Sequence, residues 1–190
     1  MGGRIDLMIE WGIQPIRSFL DVVPEHLDYL RSQTHDGDPI FLSNGKLSRH
    51  ESLKSARQVS LIAVVERLNA LVDEVVLMIA NRISPESSLT REALSRSRHQ
   101  LLKVIEDAYS IHASDLPGWS AVEVVREDAN SLKHRGGVPL PEKGSLDTVF
   151  IPSRNLQLDV EVLRIILNDI ERWLLSLWRV TEGPDTQRTV

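Results

Sequence analysis

The sequence predicts an all-α fold, a four-helix up-and-down bundle with an N-terminal helical extension, and three observations predict it. Apolar residues keep a 3.6-residue period over many turns from about Ser48 to Ile83. A second long stretch, about Leu156 to Thr181, carries a wide apolar face suited to a buried partner helix. Elsewhere the chain is punctuated by Gly and Pro clusters, and the candidate extended pieces, Ile40-Phe41-Leu42 and Thr148 to Ile151, are short.

Residues 5–31 are helical in pattern, with Phe19, Leu20, Val23, Leu27 and Leu30 on the apolar side, but Gly12, Pro15 and Pro24 predict several short helices in place of one rod. His35-Asp36-Gly37-Asp38-Pro39 and Ser43-Asn44-Gly45 read as turns. The central rod of the core is then Ser48 to Ile83, with Leu61, Val64, Val65, Leu68, Leu71, Val72, Val75, Met78 and Ile79 on one face. Ser84-Pro85 ends it, and Thr90 is placed as the N-cap of a helix from about Arg91 to His112 that presents Leu94, Leu101, Leu102, Ile105 and Ala108. After Leu116-Pro117-Gly118 a fourth helix opens near Trp119 and stops at Gly136-Gly137. Val138 to Gly144 reads as a loop, Thr148 to Ile151 as extended chain or a short strand, and the residues after Gly183-Pro184 as a frayed tail. This gives an extension over 1–47, a helical bundle over 48–182 and a flexible tail over 183–190.

The composition bounds the function. With 190 residues, 42% apolar and 26% charged, the chain is sized for one ordinary core. A net charge of -5 excludes a surface built throughout to coat nucleic acid and leaves room for a local basic patch. Two clusters qualify: Lys46, Arg49, His50, Lys54 and Arg57, and Arg91, Arg96, Arg98, His99 and Lys103, both of which also read as solvated helix faces. The absence of cysteine removes disulfide staples and thiolate chemistry. No signal-peptide pattern and no apolar run near the length of a membrane span is present, so a cytoplasmic protein without membrane contact is expected.

The helix ending at Gly136 carries the distinctive residues. At ~100° per residue, Arg126, Asn130 and His134 share one stripe beside an apolar arc of Val122, Val125, Ala129 and Leu132. A guanidinium can grip two phosphate oxygens, and an imidazole moves a proton near neutral pH, so the trio suits phosphodiester chemistry. Lys133 and Arg135 add cationic density for substrate binding. The same spacing also describes an ordinary polar flank, with His-Arg complementing a helix C-terminus. Other chemistries lack support: His99 and His112 are not at i, i+4 ligand spacing, and neither a Gly-x-Ser-x-Gly elbow nor a phosphate-cradling Gly-Lys loop occurs. No metal or cofactor is expected. Trp119, Trp173 and Trp178 read as core or interface residues before base-stacking ones.

The order of long helix, second helix, helix ending in Asn-x-x-x-His, Gly/Pro loop and final apolar helix resembles the HEPN superfamily of helical-bundle proteins over residues 48–182. In that family the motif is Arg, a polar residue often Asn, four to six variable positions and His; Asn130-Ser131-Leu132-Lys133-His134 resembles its polar-to-His part, with three positions between Asn130 and His134. The Arg departs from it. Ala129 precedes Asn130, Arg126 is separated from His134 by seven residues, and Arg135 is a second source of the charge. The resemblance implies a metal-independent endoribonuclease of toxin or defence type, with His134, Asn130 and Arg126 catalytic and two copies of His134 meeting at a homodimer interface. RNA and an antitoxin or regulator protein are the partners it implies. Members without nuclease activity imply the alternative, a catalytically inert module binding a partner protein or nucleotide.

Overall fold

The computed structural model describes residues 5–34, 39–42, 45–83, 97–135 and 159–182. It is helical apart from one short hairpin. The helices are α1 (Ile5–Ser32), α2 (Arg49–Ile83), α3 (Arg98–Tyr109), α4 (Trp119–Arg135) and α5 (Val160–Glu182), with a 3₁₀ turn at Ala113–Asp115 between α3 and α4. The hairpin pairs β1 (Pro39–Leu42) with β2 (Gly45–Ser48) in antiparallel register, Leu42 opposite Gly45. Pro39, which has no N–H for a ladder, takes the first strand position.

The N-terminal stretch corrects the sequence expectation. In place of short helices split by Gly12, Pro15 and Pro24, α1 is one helix of 28 residues with both prolines inside it. Ile5, Ile9, Ile13, Ile16 and Leu20 form its buried edge at three- and four-residue spacing. Burying each is worth about 1.5–3 kcal/mol. Together they outweigh two interior prolines at roughly 3 kcal/mol each. Gly12 assists by lying against Leu71: a side chain there would collide with the Leu71 methyl groups, so glycine lets α1 approach α2 closely.

Cross-links between elements set the directions. Arg57, near the start of α2, donates to Asp28, near the end of α1, at 3.1 Å, so α1 and α2 are antiparallel. Arg17 donates to Asn168 and Glu171 at 3.3 and 2.6 Å while Arg164 meets Asp21 at 3.1 Å, which makes α5 antiparallel to α1 as well. At the shared end of α2 and α5, the Arg82 guanidinium lies 4.7 Å over the Trp178 ring. α4 packs on α2 and α5, and α3 on α2. One core results, in which Leu61 to Ala80 of α2 meet Leu163 to Trp178 of α5 and the isoleucine edge of α1. The segment expected as an extension thus shares the core of the bundle.

The third helix begins later than the sequence pattern suggests. Ser97 caps α3: its hydroxyl accepts from the Gln100 N–H while the Gln100 side chain accepts from the Ser97 N–H, a reciprocal capping box. Ser110, with φ of 53°, closes the helix in the left-handed region, two residues short of His112. The connection to α4 is pinned at Ala113, whose N–H donates to Glu106 Oε1 at 2.8 Å and whose carbonyl accepts from the buried Trp173 indole at 2.9 Å. Trp119 packs on Trp173 with ring centroids 5.7 Å apart, and Trp173 and Trp178 are buried, the core role expected of them. The expected Thr90 cap, the glycine stop at 136–137, the loop at 138–144, the extended piece at 148–151, the helix start at 156–158 and the tail at 183–190 lie outside the described residues.

Candidate functional site

The site is α4. Tertiary packing sets its orientation: Ala121, Val122, Val125 and Ala129 are buried against α2 and α5, and Leu132 is partly buried on the same core. Its start is fixed by Gly118, with φ of +95°, where a side chain would overlap the Asp169 backbone carbonyl of α5. The apolar arc read from the sequence is therefore the packed face of the helix.

Beside that arc, Arg126 and Asn130 are exposed, one helical turn apart. α4 continues unbroken to Arg135, so the backbone places Lys133, His134 and Arg135 in its last turn and carries position 134 two turns beyond 126 on the same stripe. The side chains of those three residues lie outside the described part of the structure.

Arg126 is not a bare cation. Its Nη2 donates to Glu123 Oε2 at 2.9 Å, an i, i+3 pair at the helix surface. Asp128, half-buried on the flank, has its carboxyl pushed above the ordinary carboxylate pKa by burial, with the neighbouring Glu127 charge adding to the shift. Glu123 thus occupies the arginine, which lowers the local attraction for a phosphodiester. Sequence reasoning passed over Glu123, although a Glu three residues before an Arg on a helix is a readable pairing signal.

The two basic clusters separate in the structure. Arg98 is a structural residue: its side chain, 9% exposed, donates to Asp73 at 2.7 Å and to the Asn69 backbone and side-chain oxygens at 3.1 and 2.6 Å. Arg57 is taken up by Asp28. Arg49, Lys54, His99 and Lys103 remain at the surface, and Arg91 and Arg96 lie outside the described residues. Among the described residues no group of three His, Cys, Asp or Glu stands close enough to hold a metal ion, and no helix is long and apolar enough to cross a membrane.

Compared with family models, curated proteins and solved structures, the chain matches none.

Proposed function

We propose that this chain is a HEPN-like helical-bundle protein directed at RNA, a metal-independent endoribonuclease acting through His134 at a homodimer interface. The observation that supports it is the exposure of Arg126 and Asn130 one turn apart on α4, on the stripe that reaches position 134. In the proposed reaction an RNA 2′-oxygen attacks the adjacent phosphorus and the bond to the 5′-oxygen breaks, leaving a 2′,3′-cyclic phosphate and a 5′-hydroxyl. One His134 takes the 2′-hydroxyl proton, and the second, from the partner copy, gives a proton to the leaving oxygen. Arg126, with Asn130, stabilises the charge that develops on the phosphorane oxygens, while Lys133 and Arg135 hold the flanking backbone. A toxin or defence role, with an antitoxin or regulator protein as its control, belongs to this reading.

A second reading is favoured by the Glu123–Arg126 pair and by Ala129 in the position of the family arginine. Under it the bundle is catalytically inert and binds a partner protein or nucleotide. RNA affinity, followed by anisotropy of a labelled single-stranded oligonucleotide in chelator, tests the RNA-directed claim. Replacing Arg126 and Asn130 together by Ala is expected to weaken binding at least about tenfold, the loss of two phosphate-directed groups. An unchanged affinity overturns the claim, and binding without cleavage selects the second reading.

A further inference from the structure

We propose that α1 is a two-part helix hinged at Pro24, and that Arg164 of α5 is the latch that holds its last turns in line. The device is built from the packing of α1 on α5 and does not depend on the reading of α4. Pro24 lies inside α1 and is itself buried. A proline there has no N–H to give the carbonyl one turn back, that of Leu20, and its ring crowds the same carbonyl. Leu20 is fully buried, so an unmatched oxygen at this point is costly.

Arg164 supplies the missing donor. Its Nη2 donates to the Leu20 carbonyl at 3.4 Å and pairs with Asp21 Oδ1, on the next residue, at 3.1 Å. Its Nη1 donates to Glu161, one turn earlier on α5. One guanidinium thus bridges the orphaned carbonyl and the carboxylate beside it, both in the turn before the proline. A lysine, as a point charge, lacks the planar fork that spans the two.

The two sides of Pro24 are anchored differently. Before it, Ile5, Ile9, Ile13, Ile16 and Leu20 are buried, and Arg17 adds its bonds to Asn168 and Glu171. After it, none of residues 25–32 is buried, and Tyr29 is 60% exposed. Leu27 and Leu30 are half-buried outside the continuous core, and this piece is tied to α2 through the part-exposed Asp28–Arg57 pair. Pro15 makes no such pivot, because the buried Ile13 and Ile16 hold the helix on both sides of it. The last turns of α1 are therefore a leaf with few buried contacts, the kind of unit that opens ahead of the whole fold. With the latch released, the leaf swings about Pro24, parts Asp28 from Arg57 and uncovers Leu27 and Leu30.

Native-state amide hydrogen exchange of the full chain tests this, read at residues 25–32 and at residues 9–20. Arg164→Ala is expected to speed exchange at 25–32 at least about tenfold, through loss of a charge-assisted bond, and to leave 9–20 within about twofold. In a Pro24→Ala background, where the restored N–H serves Leu20, the same substitution should change exchange at 25–32 by less than about threefold. Circular dichroism checks that each variant stays helical. Should the alanine variant unfold, Arg164→Lys, which keeps the charge but not the fork, is read in its place, with the same contrast between the two backgrounds expected. Equal acceleration on both sides of Pro24, unaltered exchange at 25–32, or an Arg164 effect that is the same with and without Pro24 would each overturn the proposal.

Discussion

Glu123 holds Arg126: the carboxylate accepts from the guanidinium at 2.9 Å, one turn earlier on α4 and at the solvent surface. Such an exposed i, i+3 pair is worth at most about 0.5 kcal/mol of stability. Its larger effect is to occupy the cation that the proposed chemistry needs. Glu123→Gln should therefore raise RNA affinity severalfold, through removal of one competing charge, with Tm unchanged within about 1–2 °C. Binding isotherms at two salt concentrations check this, and a weaker-binding variant contradicts it.

Arg98 separates structural from functional basic residues. Its nearly buried side chain ties the start of α3 to Asn69 and Asp73 of α2. Arg98→Ala should cost about 2–4 kcal/mol in denaturant unfolding, as expected for a charge-assisted network with little solvent. Once the temperature is lowered to keep the variant folded, RNA affinity should be unaltered. A selective loss of RNA binding without loss of stability would return Arg98 to the binding surface.

At Gly118 the backbone itself is under test. The positive φ and the Asp169 carbonyl both exclude a side chain where α4 enters the bundle. Gly118→Ala should destabilise by about 1–3 kcal/mol, combining left-handed strain with displacement of α5. An unchanged unfolding midpoint would mean that the α4–α5 junction is looser than described.

Asp128 gives a pH signature. Burial, aided by Glu127, raises its folded pKa above the ordinary 3.8, so the folded state binds this proton more tightly than the unfolded state does. For this group stability is greatest at low pH, falls as pH rises from about 3.8 through the folded pKa, and stays reduced above it. Asp128→Asn should accordingly stabilise the protein at neutral pH, and that difference should vanish on acidification below the ordinary carboxylate range. Paired melting curves across pH read the difference directly.

The long-range pattern was legible where one helix carries its own evidence. The 3.6-residue row of α2 and the apolar arc of α4 lie in the core as the periodicity requires, and α2 starts within a residue of its expected position, whereas on α5 the apolar residues Val162 and Ile165 are exposed and Leu163 and Leu167 are buried beside Ile170, Trp173, Leu174, Leu177 and Trp178. Residues 5–31 misled because local propensity and tertiary packing disagree there. Two prolines and a glycine argue against a helix interior, and only burial of the isoleucine row on α2 and α5 decides for one helix. On α1 the residues read as its apolar side, Phe19, Val23, Leu27 and Leu30, are only partly buried, because Ile5, Ile9, Ile13, Ile16 and Leu20 fill the core. For the site, spacing conveyed that 126, 130 and 134 share a stripe, but not that Glu123 closes on Arg126, because a rotamer choice decides that contact.

The proposal that α4 is a catalytic element rests most directly on His134. RNA of mixed sequence, incubated in chelator with wild-type protein or His134→Ala, should be cut only by the wild type, leaving 2′,3′-cyclic phosphate and 5′-hydroxyl ends, with equal helical content and melting in the two proteins. Equal cleavage by both would contradict the role of His134, and no cleavage by the wild type would contradict the endoribonuclease itself.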